Sequence, residues 1–330
     1  MDLKRRTIVA LLAGAMTSAG AVGAALAETT WNLPARSNAQ NYMTKNIMEF
    51  VEGVAENSNG EIKIEVHTED SLVRQPDVLR AVQTRQVELG EYLMSMQSNL
   101  SPIFAVDAIP FLAVGYEANR KLAKAARPAI EKELATRGVK LLFIQSWPRQ
   151  GIYADKEINS LSDFDGVTMR AYNPSTARLA ELMGATPVTI QQAEVPQAFA
   201  TGVVQAMITS PTTGVDTQAW DFVSHFYDVE AFITWNVIVM NQSVFDGLSE
   251  DEKKAVEDAA VAAEDRAWKN APAVTEEQIG TLAEHGITVK KPNAELLAGL
   301  KEIGATMLDE WLESAGDEGK EVIERYRSME

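Results

Sequence analysis

The chain contains no cysteine. That removes disulfides, thiolate metal ligands, iron–sulfur ligation and cysteine nucleophiles together. Histidine is nearly as scarce, with three in 330 residues. His67, His225 and His285 lie far apart and have no partner at ligand or catalytic spacing, so each reads as a surface or capping residue. Basic charge is short as well: 30 Lys and Arg stand against 47 Asp and Glu, a formal net charge of -17. So acidic a chain is repelled by nucleic-acid phosphates and anionic membrane surfaces, which excludes both as bulk partners. Beyond residue 27 no apolar run is long enough to span a bilayer. There is no Gly-x-Ser-x-Gly elbow, phosphate loop, His-Glu-x-x-His or dinucleotide fingerprint. No cofactor is expected. The 47 carboxylates guarantee chance pairs, and spacing singles none of them out. A carboxylate dyad therefore stays open.

What is present is ordinary globular material, 46% hydrophobic and 23% charged. At about 150 residues per domain the length suggests two domains. Lys4, Arg5 and Arg6 open the chain, an apolar and small-residue run follows from Ile8 to Val22, and Ala25-Leu26-Ala27 supplies a small-residue cleavage site. This is the three-part pattern of a secretory leader, diluted by Gly14, Thr17, Ser18 and Gly20 relative to a membrane anchor. The expected mature protein begins at Glu28 and is exported, most naturally to a bacterial periplasm.

The next hundred residues read strand, helix, strand, helix, strand. Trp31 to Pro34 is a short strand. Met43, Ile47, Phe50, Val51 and Val54 recur at helical spacing, and Ile62, Ile64 and Val66 alternate with charge. Pro76 opens a helix, and residues 87–94 form an apolar strand. A helix over 117–137 and a buried strand from Val139 follow. A second strand–helix block runs from 167 to 209, and 233–240 is strongly apolar. Ser249 with Glu252 forms a capping box for an alanine-rich helix, expected to kink or stop at Pro272. The pattern implies an α/β protein with mostly parallel sheets flanked by helices. Two such sheets facing each other make a ligand cleft at their strand ends.

One segment is more specific. Residues 158–210 contain Leu161 through Gly166, then Val167-Thr168-Met169-Arg170 and Met183-Gly184-Ala185-Thr186-Pro187-Val188. Glu194-Val195-Pro196-Gln197-Ala198 and Thr201-Gly202-Val203-Val204-Gln205-Ala206 follow. In order and spacing this resembles the DctP-type solute-binding proteins of tripartite ATP-independent periplasmic (TRAP) transporters. Asn59 through Val66 and Ala81 through Glu88 look like two further landmarks of that family, with Arg85 where the family usually has Gly. The resemblance implies a two-lobe periplasmic binding protein with discontinuous lobes. Lobe I would take 28–147 plus about 236–275, and lobe II about 148–235 plus 276–330.

The resemblance further implies that the arginine ending the Gly166-to-Arg170 strand, here Arg170, binds a ligand carboxylate. A guanidinium suits that role because it presents a planar pair of donors and keeps its charge. An exposed salt-bridging arginine is the alternative. Tyr172 adjoins it. Asn173 either donates to a ligand or caps the helix opened by Pro174. Arg149 lies near a second arginine used by some family members. Ser210 and Thr212 follow a buried strand and offer hydroxyls, or serve as turn residues. Trp235 and Asn236 begin the strand at the family's crossing between lobes, where an aromatic often packs on the ligand. The alternative for Trp235 is core. Glu91 and Tyr92 end the strand of the first block. Glu91 pairs either with a ligand amine or, preferably, with Arg149 or a local lysine. Trp147, Tyr172 and Trp235 hint at an aromatic lining.

The resulting expectation is a non-enzymatic protein that captures a small organic carboxylate, such as a 2-oxo, 2-hydroxy or aromatic acid. It would deliver this ligand to TRAP membrane permease subunits without being embedded in the membrane itself. The rivals are a secreted α/β enzyme acting on a small organic acid through buried carboxylates, and a ligand-sensing subunit.

Overall fold

The computed structural model describes residues 29–329. The expected leader, residues 1–27, and the start at Glu28 lie outside the described residues.

The first block is β1 (Thr29–Pro34), α1 (Tyr42–Asn57), β2 (Ile62–His67), α2 (Val78–Gln83) and β3 (Leu89–Leu93). Helix α3 (Gly115–Ala135) then feeds β4 (Val139–Ser146). The second block is β5 (Gly151–Ala154), β6 (Thr168–Ala171), α4 (Pro174–Leu182), β7 (Thr186–Thr189), α5 (Val195–Ala200), β8 (Ala206–Thr209), α6 (Pro211–Asp216) and β9 (His225–Tyr227). The chain returns as β10 (Trp235–Asn241) and α7 (Gln242–Asp246). It ends with α8 (Glu250–Glu284), β11 (Thr288–Lys290) and α9 (Ala294–Arg327).

Two lobes result. In one, β10 sits between β3 and β4, beside the parallel pair β1–β2. The other is built on a six-stranded sheet in the order β11-β9-β5-β8-β6-β7. The sheets are mixed, not mostly parallel. β10 runs antiparallel to both neighbours, and β5 antiparallel to β8 and β9. Local periodicity gives strand positions, whereas the direction of β10 is set by its arrival from the second lobe.

Both long helices serve both lobes. Val256, Ala259 and Ala263 of α8 pack with Ile47 and Phe143, while Leu282 joins Phe226 and Ile287. In α9, Leu296, Leu300 and Ile303 pack under the six-stranded sheet, and Trp311, Val322 and Ile323 return to the core around α3. Helix α8 opens on the Ser249–Glu252 capping box and does not stop at Pro272: it continues through it to Glu284. Proline there forfeits one backbone bond, and the burial of Trp268, Ala271 and Thr275 around it holds the helix together. Arg85, at the position where the related family has glycine, adopts φ 57°. That is the left-handed region glycine enters without cost. No helix among the described residues is long and apolar enough to cross a membrane.

Candidate functional site

Arg170 lies on β6, flanked in register by Val188 of β7 and Met207 of β8. A four-residue strand in the middle of a sheet holds its side chain at the strand's C-terminal end, where α/β sheets bind ligands. The side chain is 1% exposed. Its Nε donates to the carbonyl of Ile190 at 3.0 Å. Nη1 and Nη2, both buried, have no hydrogen-bond partner. Burial first, and then the neighbouring Arg36, lower its pKa from the ordinary arginine value to about 9, with Tyr172 acting the other way. A buried guanidinium with two free donors and a cationic neighbour is a site for an anion.

These nitrogens face a small cleft cavity of about 10 Å³, room for about one water. Two arginines line it, Arg170 from the second lobe and Arg36 from just past β1. Each guanidinium lies over a ring, Arg36 at 5.9 Å from the Trp147 centroid and Arg170 at 5.1 Å from that of Tyr172. These contacts orient the planar groups. Met43, Leu93, Trp147 and Tyr172 form one small apolar cluster, and all but Met43 line the cavity. The remaining wall is neutral and polar: Gln150, Thr209, Ser210, Thr213 and Thr234. A larger depression lined by Lys156, Phe199 and Phe222 also touches Val167 and Ala206. It therefore lies at the opposite ends of β6 and β8, away from both arginines.

The sequence-derived candidates divide sharply. Arg170, Tyr172 and Ser210 line the cavity. Ser210 also caps α6 by accepting from Thr213 N–H at 3.1 Å. Asn173 caps α4, its Oδ1 accepting from Thr176 N–H at 2.7 Å, and its amide donates to Ser95 Oγ at 2.8 Å. Thr212 is buried beside the lining with Oγ1 unpartnered. Arg149 lies off the cavity. Its guanidinium donates to both oxygens of Asp228 at 2.8 and 2.7 Å and to Glu276 at 2.7 Å. These partners hold its pKa up, and its donors are committed to protein acids.

Strand alternation sorts the rest. Tyr92 and Trp235 sit on the core face, with Val237 opposite Tyr92. The Trp235 ring N–H donates to Asn119 at 2.6 Å and its backbone N–H to Asp107 at 2.7 Å. Trp235 is therefore core, not cavity wall. Glu91 and Asn236 lie on the other face, one layer behind the lining. Glu91 meets neither Arg149 nor a lysine. It accepts from the backbone N–H of Arg36 at 2.8 Å and from the Asn236 amide. Asn236 in turn accepts from the Trp147 ring N–H at 2.7 Å. Sequence reading missed Leu93, Gln150, Thr209, Thr213 and Thr234 of the lining, and its one further charged residue, Arg36. It follows β1 as Arg170 ends β6, so the same strand-end rule points to it.

None of the histidines lines this cavity: His67 meets Asn32, His225 meets Ser224, and His285 stacks on Trp220. Among the described residues no group of three or more His, Cys, Asp or Glu is placed to hold a metal.

Residues 35–314 match the model of the DctP family, described as bacterial extracellular solute-binding protein, family 7. Three solved structures are similar throughout. DctP6 of Bordetella pertussis, an extracytoplasmic solute receptor binding pyroglutamic acid, is 42% identical with a TM-score of 0.89, covering 91% of this chain and 100% of that one. DctP7 of the same organism, also binding pyroglutamic acid, is 41% identical with a TM-score of 0.89, covering 91% and 99%. A marine-metagenome TRAP solute-binding protein specific for pyroglutamate is 34% identical with a TM-score of 0.89, covering 92% and 99%. With its two-lobe fold and a family match over most of its length, the chain belongs to the DctP family and is an extracytoplasmic solute-binding component of a TRAP transporter, not an enzyme.

Proposed function

We propose that this protein captures a small organic monocarboxylate, and specifically pyroglutamate or a cyclic acid of its size, in the cavity around Arg170. The observation that carries this reading is the pair of buried, unpartnered Arg170 nitrogens facing a cavity with no acidic side chain in its wall. A carboxylate entering a closing cleft loses its hydration and must find charge and hydrogen bonds together. Arg170 offers two parallel donors, and Arg36 adds a second positive charge. Trp147, Tyr172 and Leu93 give the lining apolar surface for a ring. Gln150 and the hydroxyls of Thr209, Ser210, Thr213 and Thr234 supply partners for a ring amide. The three similar structures that bind pyroglutamate, at 34–42% identity, support the same ligand class.

In this reading the ligand passes to a membrane permease driven by an ion gradient, and the leader is removed after Ala27. Lobe I comprises residues up to 147 with β10, α7 and the first part of α8. Lobe II comprises about 148–235, with the end of α8, β11 and the first half of α9. The second half of α9 returns to lobe I. Calorimetric titration with pyroglutamate, proline, glutamate and pyroglutamate amide tests the ligand. Pyroglutamate should bind and its amide should not. Equal binding of acid and amide, or no binding of any small monocarboxylate, overturns the reading. Mass spectrometry of the exported protein checks the leader, and genes for a two-part permease beside this one check the partner.

A further inference from the structure

We propose that Glu91, buried behind the cavity wall, is a specificity-determining residue. By setting one negative charge against Arg36 it leaves the site with a single uncompensated positive charge, that of Arg170, and so selects monoanions over dianions. The inference rests on the reading of Arg170 as the carboxylate anchor.

The hydrogen bonds favour the ionised form of Glu91, against its burial, which raises its pKa. An indole N–H only donates. Trp147 Nε1 therefore requires Asn236 to present its oxygen, at 2.7 Å. Asn236 must then turn its amide nitrogen toward Glu91 Oε1. The other oxygen, Oε2, accepts from Arg36 N–H at 2.8 Å. Both carboxyl oxygens face donors, and neither faces an acceptor to which a carboxylic proton would point. The ionised form fits this arrangement. Glu91 is 2% exposed, so water screens its charge poorly.

The carboxylate sits against the backbone N–H of Arg36, and among the described residues it has no hydrogen bond or ion pair to Arg170. Glu91 is the foremost of the acids that oppose the effect of burial on Arg36, ahead of Asp70 and Asp216. No acid acts on Arg170, whose charged neighbour is Arg36 itself. Arg36, Asp70 and Asp216 also line a depression open to solvent at the mouth of the cleft. There the two aspartates are more exposed than Glu91, and solvent weakens their influence on the cavity. A monoanion neutralises the charge left on Arg170. A dianion brings a second negative charge beside the buried carboxylate of Glu91, with no further uncompensated cation to meet it.

The same network positions the site. Through Asn236, Glu91 also fixes the Trp147 ring, so a simple loss of affinity in a variant does not separate charge from packing. A selectivity ratio does. The experiment is calorimetric titration of size-matched pairs: pyroglutamate and glutarate, lactate and malate, benzoate and phthalate. Each is measured on the wild type, Glu91→Gln, Arg36→Gln and the double variant. The wild type should favour each monoanion it binds. Glu91→Gln should shift the ratio toward the dianion by tenfold or more. Arg36→Gln should shift it the other way, and the double variant should return it near the wild-type ratio. Arg36→Gln alone tests the idea if Glu91→Gln does not fold. Ratios unchanged in folded variants, or a wild type that binds dianions as tightly, overturn the proposal. If pyroglutamate fails but another monoanion binds with the predicted ratios, the pyroglutamate reading falls and the role of Glu91 stands. If pyroglutamate binds and the ratios do not move, the reverse holds. If no member of the panel binds, both are overturned.

Discussion

The amide of Asn173 donates to Ser95 Oγ at 2.8 Å, and this bond joins the two lobes across the cleft. Asn173 comes from the start of α4, and Ser95 from just beyond β3. The same asparagine uses its oxygen to cap its own helix. Asn41 repeats the device from the other side. It caps α1 with its oxygen, at 2.9 Å from Met43 N, and donates its amide to Asp216 at 2.8 Å. Two helix caps thus double as cross-cleft contacts, and each can keep its capping role when the lobes part.

This arrangement predicts how closure responds to mutation. In Ser95→Ala the Asn173 amide loses its partner only when the cleft is shut, because water reaches it when open. Ligand affinity should fall by about 1 kcal/mol, roughly fivefold, while the melting temperature of the ligand-free protein holds. Small-angle scattering of the wild type should give a smaller radius of gyration with saturating ligand, since the closed state has the additional contacts. A profile that does not change with ligand would count against hinge closure.

The two tryptophans should separate cleanly. Trp235 is fully buried in the core and anchored through Asn119 and Asp107. Trp235→Ala should cost about 3–5 kcal/mol of stability, with no selective effect on ligand affinity in the protein that remains folded. Trp147 lines the cavity under Arg36. Trp147→Phe should abolish the change in intrinsic fluorescence on ligand addition, and Trp235→Phe should leave it. Calorimetry beside the fluorescence titration checks both, and a ligand signal that survives in Trp147→Phe contradicts this assignment.

Much of this was legible before any coordinates. Hydrophobic periodicity located most strands and helices, though not β5, β9, α6 or α7, and the Gly166-to-Arg170 segment led to the central arginine. What escaped depended on pairing between distant segments. That Trp235 and Tyr92 face the core while Asn236 and Glu91 lie behind the cavity wall is a one-residue matter of register. It is fixed only when β10 pairs with β3, and no local pattern carries it. Arg149 looked like a ligand arginine because its partners Asp228 and Glu276 are 79 and 127 residues away. Proline in α8 reads as a kink or a stop because the tertiary packing that carries the helix past it is not local. Arg36 was within reach, since the strand-end rule applies to β1 as it does to β6.

Asp107 makes stability depend on pH. Its carboxyl is 1% exposed, with one oxygen accepting from Trp235 N–H and the other unpartnered. Burial pushes its pKa up to about 8, against the smaller opposing effect of its backbone hydrogen bonds. Between the ordinary carboxyl range near 4 and about 8, the folded protein therefore holds a proton that the unfolded chain has released. Stability from this group is full below the ordinary range and is lost as pH rises toward about 8. Urea unfolding at pH 5, 6, 7 and 8 should show a falling midpoint, and Asp107→Asn should flatten that slope. A midpoint that falls equally in the variant assigns the dependence to other groups.

Arg170 gives the sharpest test, because its roles in stability and in binding have opposite signs. Without ligand the closed cleft buries a guanidinium whose terminal nitrogens have no partner, an arrangement that opposes closure. With a carboxylate present the same nitrogens complete a buried, doubly hydrogen-bonded pair. Removing one member of such a pair costs about 3–5 kcal/mol, or roughly two to four orders of magnitude in affinity. Arg170→Met should therefore abolish measurable binding while the melting temperature of the ligand-free protein holds or rises. Arg170→Lys keeps a charge but loses the planar fork and the bond from Nε to the Ile190 carbonyl, so it should also bind poorly. Calorimetric titration and thermal unfolding of both variants, with and without pyroglutamate, read the two effects separately. A methionine variant that unfolds earlier without ligand would show that Arg170 supports the fold. Near-normal affinity in that variant would remove Arg170 from the site, and with it the main reason for expecting a carboxylate.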